Sequence, residues 1–261
     1  MEPQRAGDLK HRNREYMDSL SVEMRHIGST RPDTTLSLYQ KTLATPIMTL
    51  AEQDQAEIIK TDAGVIPIIK PYADNGLILA RMKLAAEKGA LAVGIDIGSA
   101  FDEKGEYDRA DGHPLHPKSF EELKEFADAT AIPLVVKGVL SCQDAYQCLK
   151  AGVKGIVISH GKMEDAVPIL KILPDICKVI GKEIPVWVEG EIESGMDAFK
   201  ALCLGATAVC VKEVDGKPLR ERGVEEISDM TLHMTEELKG IMAKTGCRDM
   251  NHMDASVIWD K

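Results

Sequence analysis

Aromatic side chains are scarce in this chain: Phe, Trp and Tyr make up 4% of its 261 residues. Its core must therefore be packed from Ile, Val, Leu, Met and Ala. No apolar run approaches the ~20 residues of a membrane-spanning helix, and neither a secretory leader nor a lipidation motif is visible. Cations are outnumbered, with 32 Lys and Arg against 42 Asp and Glu and a net charge of −10. Binding a nucleic-acid backbone needs clustered cations, so no nucleic-acid partner is expected. The six cysteines form no C-x-x-C pair and no zinc spacing. They read as reduced thiols of a cytoplasmic protein rather than as a disulfide framework. No metal site is expected either. His113 and His116 have ligand-like spacing, but their proline-flanked stretch offers no third ligand.

What the chain does contain is a series of short, branched aliphatic runs. They begin near Pro46, Pro67, Leu91, Pro133, Gly155, Pro185 and Thr207. Most are continuously apolar, as in strands covered on both faces. Helical segments separate them. Ser119 and Glu122 form a capping box ahead of Leu123, Phe126 and Ala127. Ser141 starts the next helix, Asp74 or Asn75 starts an earlier one, and residues 195–205 repeat the design. No G-x-G-x-x-G opens the series and the units are evenly sized. These features predict an α/β fold, a TIM-type (β/α) barrel, as a single domain over residues 1–261. Seven strands are recognisable of the usual eight. The unit that is absent belongs between Leu50 and Val65, where only one helix-like stretch fits. Residues 1–43 read as an arm with a helix over 13–27. Residues 98–118 read as a long loop on the active face, and 228–261 as a closing helix and tail.

Two strand ends carry the chemistry. One is Lys137-Gly138 and the other is Ser159-His160-Gly161. Neighbouring parallel strands would deliver a lysine and a histidine to one place, able to handle an anion and a proton. The plainer alternatives are an ion pair of Lys137 with Glu189 or Glu191, and a strand-end histidine held by local hydrogen bonds. The acidic residues from Glu221 to Glu226 read as a solvated helix face.

Four strings in order bear a resemblance to a known family: the arm from Met24 to Thr35 with LATPI from Leu43, PLVVKGVLSCQDA from Pro133, AGVKGIVISHG from Ala151, and DAFKALCLGATAV from Asp197. The closing ELKGIMAKTGCR from Glu237 fits as well. The chain resembles the FMN-dependent α-hydroxy-acid oxidase and dehydrogenase family, and most closely its clostridial "α-hydroxy-acid oxidizing protein" branch. The resemblance implies FMN as cofactor and a small 2-hydroxy acid, oxidised to a 2-oxo acid, as substrate. It implies that His160 takes the hydroxyl proton, that Asp96 steadies His160, and that Tyr72 contacts the substrate. It places Lys137 near the flavin edge where negative charge develops. It places Lys70 against the ring, with Ser159, Gly161 and Gly190 also on the cofactor side.

The sequence departs from that family at the anion sites. His160 is followed by Gly161-Lys162-Met163 where the family has Gly-Gly-Arg. Lysine keeps the charge of arginine but not its bidentate fork. Glu191 and Glu213 stand where the family binds the flavin phosphate. Two unit charges ~4 Å apart at an effective dielectric near ~20 repel by about 4 kcal/mol. The resemblance thus implies an FMN-dependent oxidoreductase. Its alternative is a flavin-free paralogue serving as a binding or assembly subunit. The sequence leaves a homo-oligomer open.

Overall fold

The computed structural model describes residues 9–52, 66–160, 163, 165–214, 217–218 and 222–260. Its centre is a closed barrel of seven parallel strands. These are β1 (Ile47–Glu52), β2 (Ile66–Ile69), β3 (Val93–Asp96), β4 (Leu134–Val139), β5 (Gly155–Ile158), β6 (Val186–Glu189) and β7 (Ala208–Val211). They follow one another in chain order, and β7 returns to β1 with Val209 opposite Ile47 and Val211 opposite Thr49. The barrel therefore closes without an eighth strand. The helix-like stretch expected between the first two strands falls on residues 53–65, outside the described residues. Ala51 and Glu52, which that stretch included, continue β1.

Among the described residues, seven α-helices surround or cap the barrel: α1 (Leu9–Ser19), α2 (Asn75–Glu87), α3 (Phe120–Ala129), α4 (Cys142–Lys150), α5 (Ile169–Ile180), α6 (Gly195–Cys203) and α7 (Val224–Thr245). Their starts follow from capping chemistry, since a side-chain oxygen satisfies a first-turn N–H that has no partner within the helix. Asp74 caps α2, Ser141 caps α4 and Ser194 caps α6. At α3 both halves of the Ser119–Glu122 capping box form.

Strand alternation sorts the core into two shells. Ile156 and Ile158, Val186 and Val188, and Val209 and Val211 face the helices. Val157, Trp187, Ala208 and Cys210 face inward. The scarcity of aromatics is met by one tryptophan inside the barrel. Trp187 is fully buried, and its Nε1 donates to Met48 Sδ at 3.1 Å. Gly155 leaves room for it, because a Cβ there would lie 2.2 Å from Trp187 Cζ3.

Two expectations about the terminal helices need correction, and the arm and the long loop gain detail. The first helix ends at Ser19 instead of reaching Ile27, because Ser21–Val22 pairs antiparallel with Ile258–Trp259 of the tail. The extended arm is a hairpin, Leu36–Leu38 with Lys41–Leu43, whose leucines plug one end of the barrel. The closing helix starts at Val224, ahead of Ser228, and exposes Glu225 and Glu226 in its first turn. The long segment after β3 is folded. A short 3-10 turn, Ile97–Ser99, precedes a Phe101–Tyr107 bridge and a small hairpin, Arg109–Ala110 with His113–Pro114.

Candidate functional site

The alternation that fills the barrel with apolar side chains continues to its C-terminal mouth, where the same parity brings charges inward. On β2 the inward series Ile66, Ile68 is followed by Lys70. On β4 it is Val135 then Lys137, on β6 Trp187 then Glu189, and on β3 Ala92, Gly94, then Asp96. The four charges alternate in sign across the mouth. Lys70 Nζ donates to Asp96 Oδ2 at 3.1 Å. Lys137 Nζ lies 4.0 Å from the same oxygen and 2.9 Å from Glu189 Oε2. Asp96 Oδ1 also accepts from the Gly98 N–H at 3.1 Å.

Close backbone approach fixes this layout. Gly138 has φ +97°, and a Cβ there would sit 2.7 Å from the Gly98 nitrogen. Glycine thus lets the end of β4 meet the turn after β3, which seats Lys137 beside Asp96. Burial by itself would raise the Asp96 carboxyl, yet the nearby Lys137 and Lys70 charges hold it below the ordinary carboxylate range. Burial would likewise lower Lys137, and Glu189 with Asp96 holds it above the ordinary ammonium range. Both shifts favour the charged forms of Asp96 and Lys137 at neutral pH.

His160 occupies the neighbouring strand end. The structure does not pair it with Asp96, whose carboxylate is taken up by the two lysines and Gly98. The physical reason is parity: Asp96 points into the barrel mouth among the cations. His160 Nε2 lies 2.6 Å from Asn13 Nδ2 of α1 and 3.6 Å from Glu191 Oε2. Gly190, at φ +155°, brings the loop after β6 against the ring, and a Cβ there would be 3.5 Å from His160 Nε2. Ser159 Oγ is buried and has no hydrogen-bond partner among the described residues.

Tyr72 follows Lys70 by two residues, and its N–H donates to the Lys70 carbonyl at 2.8 Å. Its ring is fully buried, its hydroxyl donates to Asp111 Oδ2, and it accepts from Arg81 Nη1 at 2.7 Å. His113 meets the Tyr72 ring edge-on at 5.7 Å. Tyr72 thereby anchors the long loop. His116 Nδ1 lies 2.9 Å from the Pro117 carbonyl oxygen. Gly161 and Lys162 fall outside the described residues, as does the side chain of Glu213. The structure thus brings together Lys70, Asp96, Lys137, Ser159, His160 and Gly190. The residue that sequence reasoning missed is Asn13, and nothing in the spacing of the arm could have found it.

The sequence profile described as "FMN-dependent dehydrogenase" matches residues 101–260. That stretch includes Lys137, Ser159, His160 and Gly190. An L-lactate oxidase of Alicycliphilus denitrificans is 34% identical over 139 residues, covering 52% of this chain and 38% of that protein. Human 2-hydroxyacid oxidase 1 is 33% identical over 150 residues, covering 54% and 39%. Spinach glycolate oxidase is 31% identical over 182 residues, covering 64% and 47%. The chain therefore matches less than half the length of each of these relatives. Among solved structures, a mandelate oxidase superimposes with a TM-score of 0.79 at 22% identity, over 97% of this chain and 90% of that one. A protein of Pediococcus acidilactici described as a lactate oxidase gives a TM-score of 0.84 at 17% identity, over 97% and 86%. At those identities the likeness is one of fold. With 160 consecutive residues matched by the profile, from the loop above the barrel to the tail, the chain belongs to the FMN-dependent dehydrogenase family.

Proposed function

We propose that the barrel mouth binds FMN and that the protein oxidises a small 2-hydroxy acid to the corresponding 2-oxo acid. The observation that carries this reading is the placement of Lys137 and His160 on adjacent strand ends, around a buried serine hydroxyl that has no partner among the described residues. Buried polar groups are nearly always satisfied, so Ser159 Oγ marks a place that a ligand completes. The two ammonium groups of Lys70 and Lys137 suit a ligand with polar, electron-rich edges, such as a heteroaromatic ring. Lys137, Lys70, Ser159 and Gly190 would hold it. When bound, FMN accepts the two electrons released as the α-carbon is oxidised.

The chain's own residues do the rest. His160 accepts the hydroxyl proton at Nε2, its nitrogen nearest the Glu191 carboxylate. Lys137 supplies a fixed positive charge in a poorly solvated mouth, where charge stabilisation is strongest. Glu189 and Asp96 keep that lysine oriented. The folded segment after β3 is anchored by the Tyr72 hydroxyl, which donates to Asp111 and accepts from Arg81 of α2. The names of the relatives, acting on lactate, glycolate and other 2-hydroxy acids, support the substrate class.

The test is reconstitution. Purified protein titrated with FMN should quench the flavin fluorescence, and the loaded protein should form 2-oxo acid from at least one of glycolate, lactate or mandelate. His160→Ala should retain the flavin and lose the product. Protein that leaves FMN fluorescence unchanged at saturating concentrations would overturn the reading.

A further inference from the structure

We infer that Asn13 and Glu191 are positioning residues for His160, which together fix where its proton sits; their catalytic meaning rests on the function proposed above. Asn13 is buried on α1, and both ends of its amide are engaged. Its Oδ1 accepts the Ile169 N–H at 2.9 Å. That N–H opens α5, where Pro168 provides no side-chain cap, so Asn13 caps α5 from another helix. A backbone N–H must be met by oxygen, and this decides which way the amide faces. Nδ2 is therefore the atom 2.6 Å from His160 Nε2. Two donors cannot share one hydrogen bond, so His160 Nε2 carries the lone pair and Nδ1 carries the proton. The N-terminal helix thus holds the neutral histidine with its lone pair on Nε2, and that nitrogen takes a proton when the amide gives up the bond.

Glu191 serves the opposite state. Its Oε2 is buried, lies 3.6 Å from His160 Nε2 and has no hydrogen-bond partner among the described residues. Once Nε2 has gained a proton, Asn13 Nδ2 can no longer face it favourably. Glu191 Oε2 then accepts from the new N–H and balances the imidazolium. No covalent bond changes in this exchange beyond transfer of the proton to Nε2. Several described charged groups on the flanking elements have partners of their own. Arg12 binds Asp165, Arg14 binds Asp197 and Asp18, and Glu189 binds Lys137. Asp96 is held by the two lysines. Among the described residues, Glu191 is the carboxylate that lies against His160.

The experiment is long-range proton–nitrogen NMR on histidine-labelled protein without cofactor, at a pH where imidazole is neutral. His160→Gln assigns the resonances among the seven histidines. The wild type should show His160 protonated on Nδ1. Asn13→Asp keeps an acceptor for the Ile169 N–H and offers a second oxygen to the ring, so it should move the proton to Nε2. Asn13→Ala should also favour Nε2–H, donated to Glu191, and Asn13→Ala combined with Glu191→Gln should lose that preference. A wild-type ring protonated on Nε2, or an Asn13→Asp ring unchanged from wild type, would overturn the inference. The readout needs neither flavin nor substrate, so it stands apart from failure of the oxidation.

Discussion

The Lys137 ammonium on β4 lies 2.9 Å from the Glu189 carboxylate on β6, reaching across the end of β5. Both side chains are largely buried, at 14% and 9% exposure. Removing one partner from such a pair strands the other charge, at a cost of about 3–5 kcal/mol. Lys137→Met and Glu189→Gln should each destabilise the fold by about that amount in urea unfolding. The double variant should lose less than the sum of the two. Additive losses would show that the pair is not coupled.

Glu191 bears on cofactor choice. It stands where the resemblance places the flavin phosphate, and its carboxylate would repel a phosphate dianion while leaving an uncharged ribityl chain unaffected. Glu191→Gln should therefore tighten FMN binding by at least about tenfold, a change of ~1.4 kcal/mol, with little effect on riboflavin. Equal changes for both flavins would place Glu191 away from the phosphate.

The barrel interior makes its own prediction. A Cβ at Gly155 would overlap the Trp187 ring, at 2.2 Å from Cζ3. Neither element is free to yield, because both belong to barrel strands. Gly155→Ala should lower stability by about 1–3 kcal/mol, as overpacking does, and alter the near-ultraviolet circular dichroism of Trp187. An unchanged unfolding midpoint would contradict this packing.

The charge chain also sets a pH profile. Asp96 is held below its ordinary range, after its burial is outweighed by Lys137 and Lys70. Its contribution to stability is thus full above about pH 3.9 and is lost as pH falls through its lower folded value. Lys137 is held above its range, after its burial is outweighed by Glu189 and Asp96. Its contribution is full below about pH 10.4 and is lost as pH rises through its higher folded value. Asp96→Asn should remove part of the acid loss, seen as a flatter dependence of the urea midpoint on the acid side.

The seven strands were legible because each is a short, branched, apolar run, and parallel strands buried on both faces require that composition. Capping residues such as Ser119 and Ser141 marked helix starts for a local reason, a side-chain oxygen meeting a first-turn N–H. Lys137, Ser159 and His160 stood out as polar residues at strand ends beside glycine. Their partners did not. Asp96 joins Lys70 rather than His160 because strand parity turns it into the mouth. Asn13 reaches His160 from 147 positions away in the chain. The tail strand Ile258–Trp259 breaks the first helix from farther still along the chain. Contacts of that range leave no mark in local spacing.

The decisive measurement is anaerobic mixing of FMN-loaded protein with glycolate, lactate and mandelate, each with hydrogen or deuterium on the α-carbon, while the flavin absorbance is followed. Bleaching by at least one acid, slowed by the α-deuterium and abolished in His160→Ala, is the expected result. A loaded protein whose flavin stays oxidised with every acid would contradict oxidation of a 2-hydroxy acid at this barrel mouth.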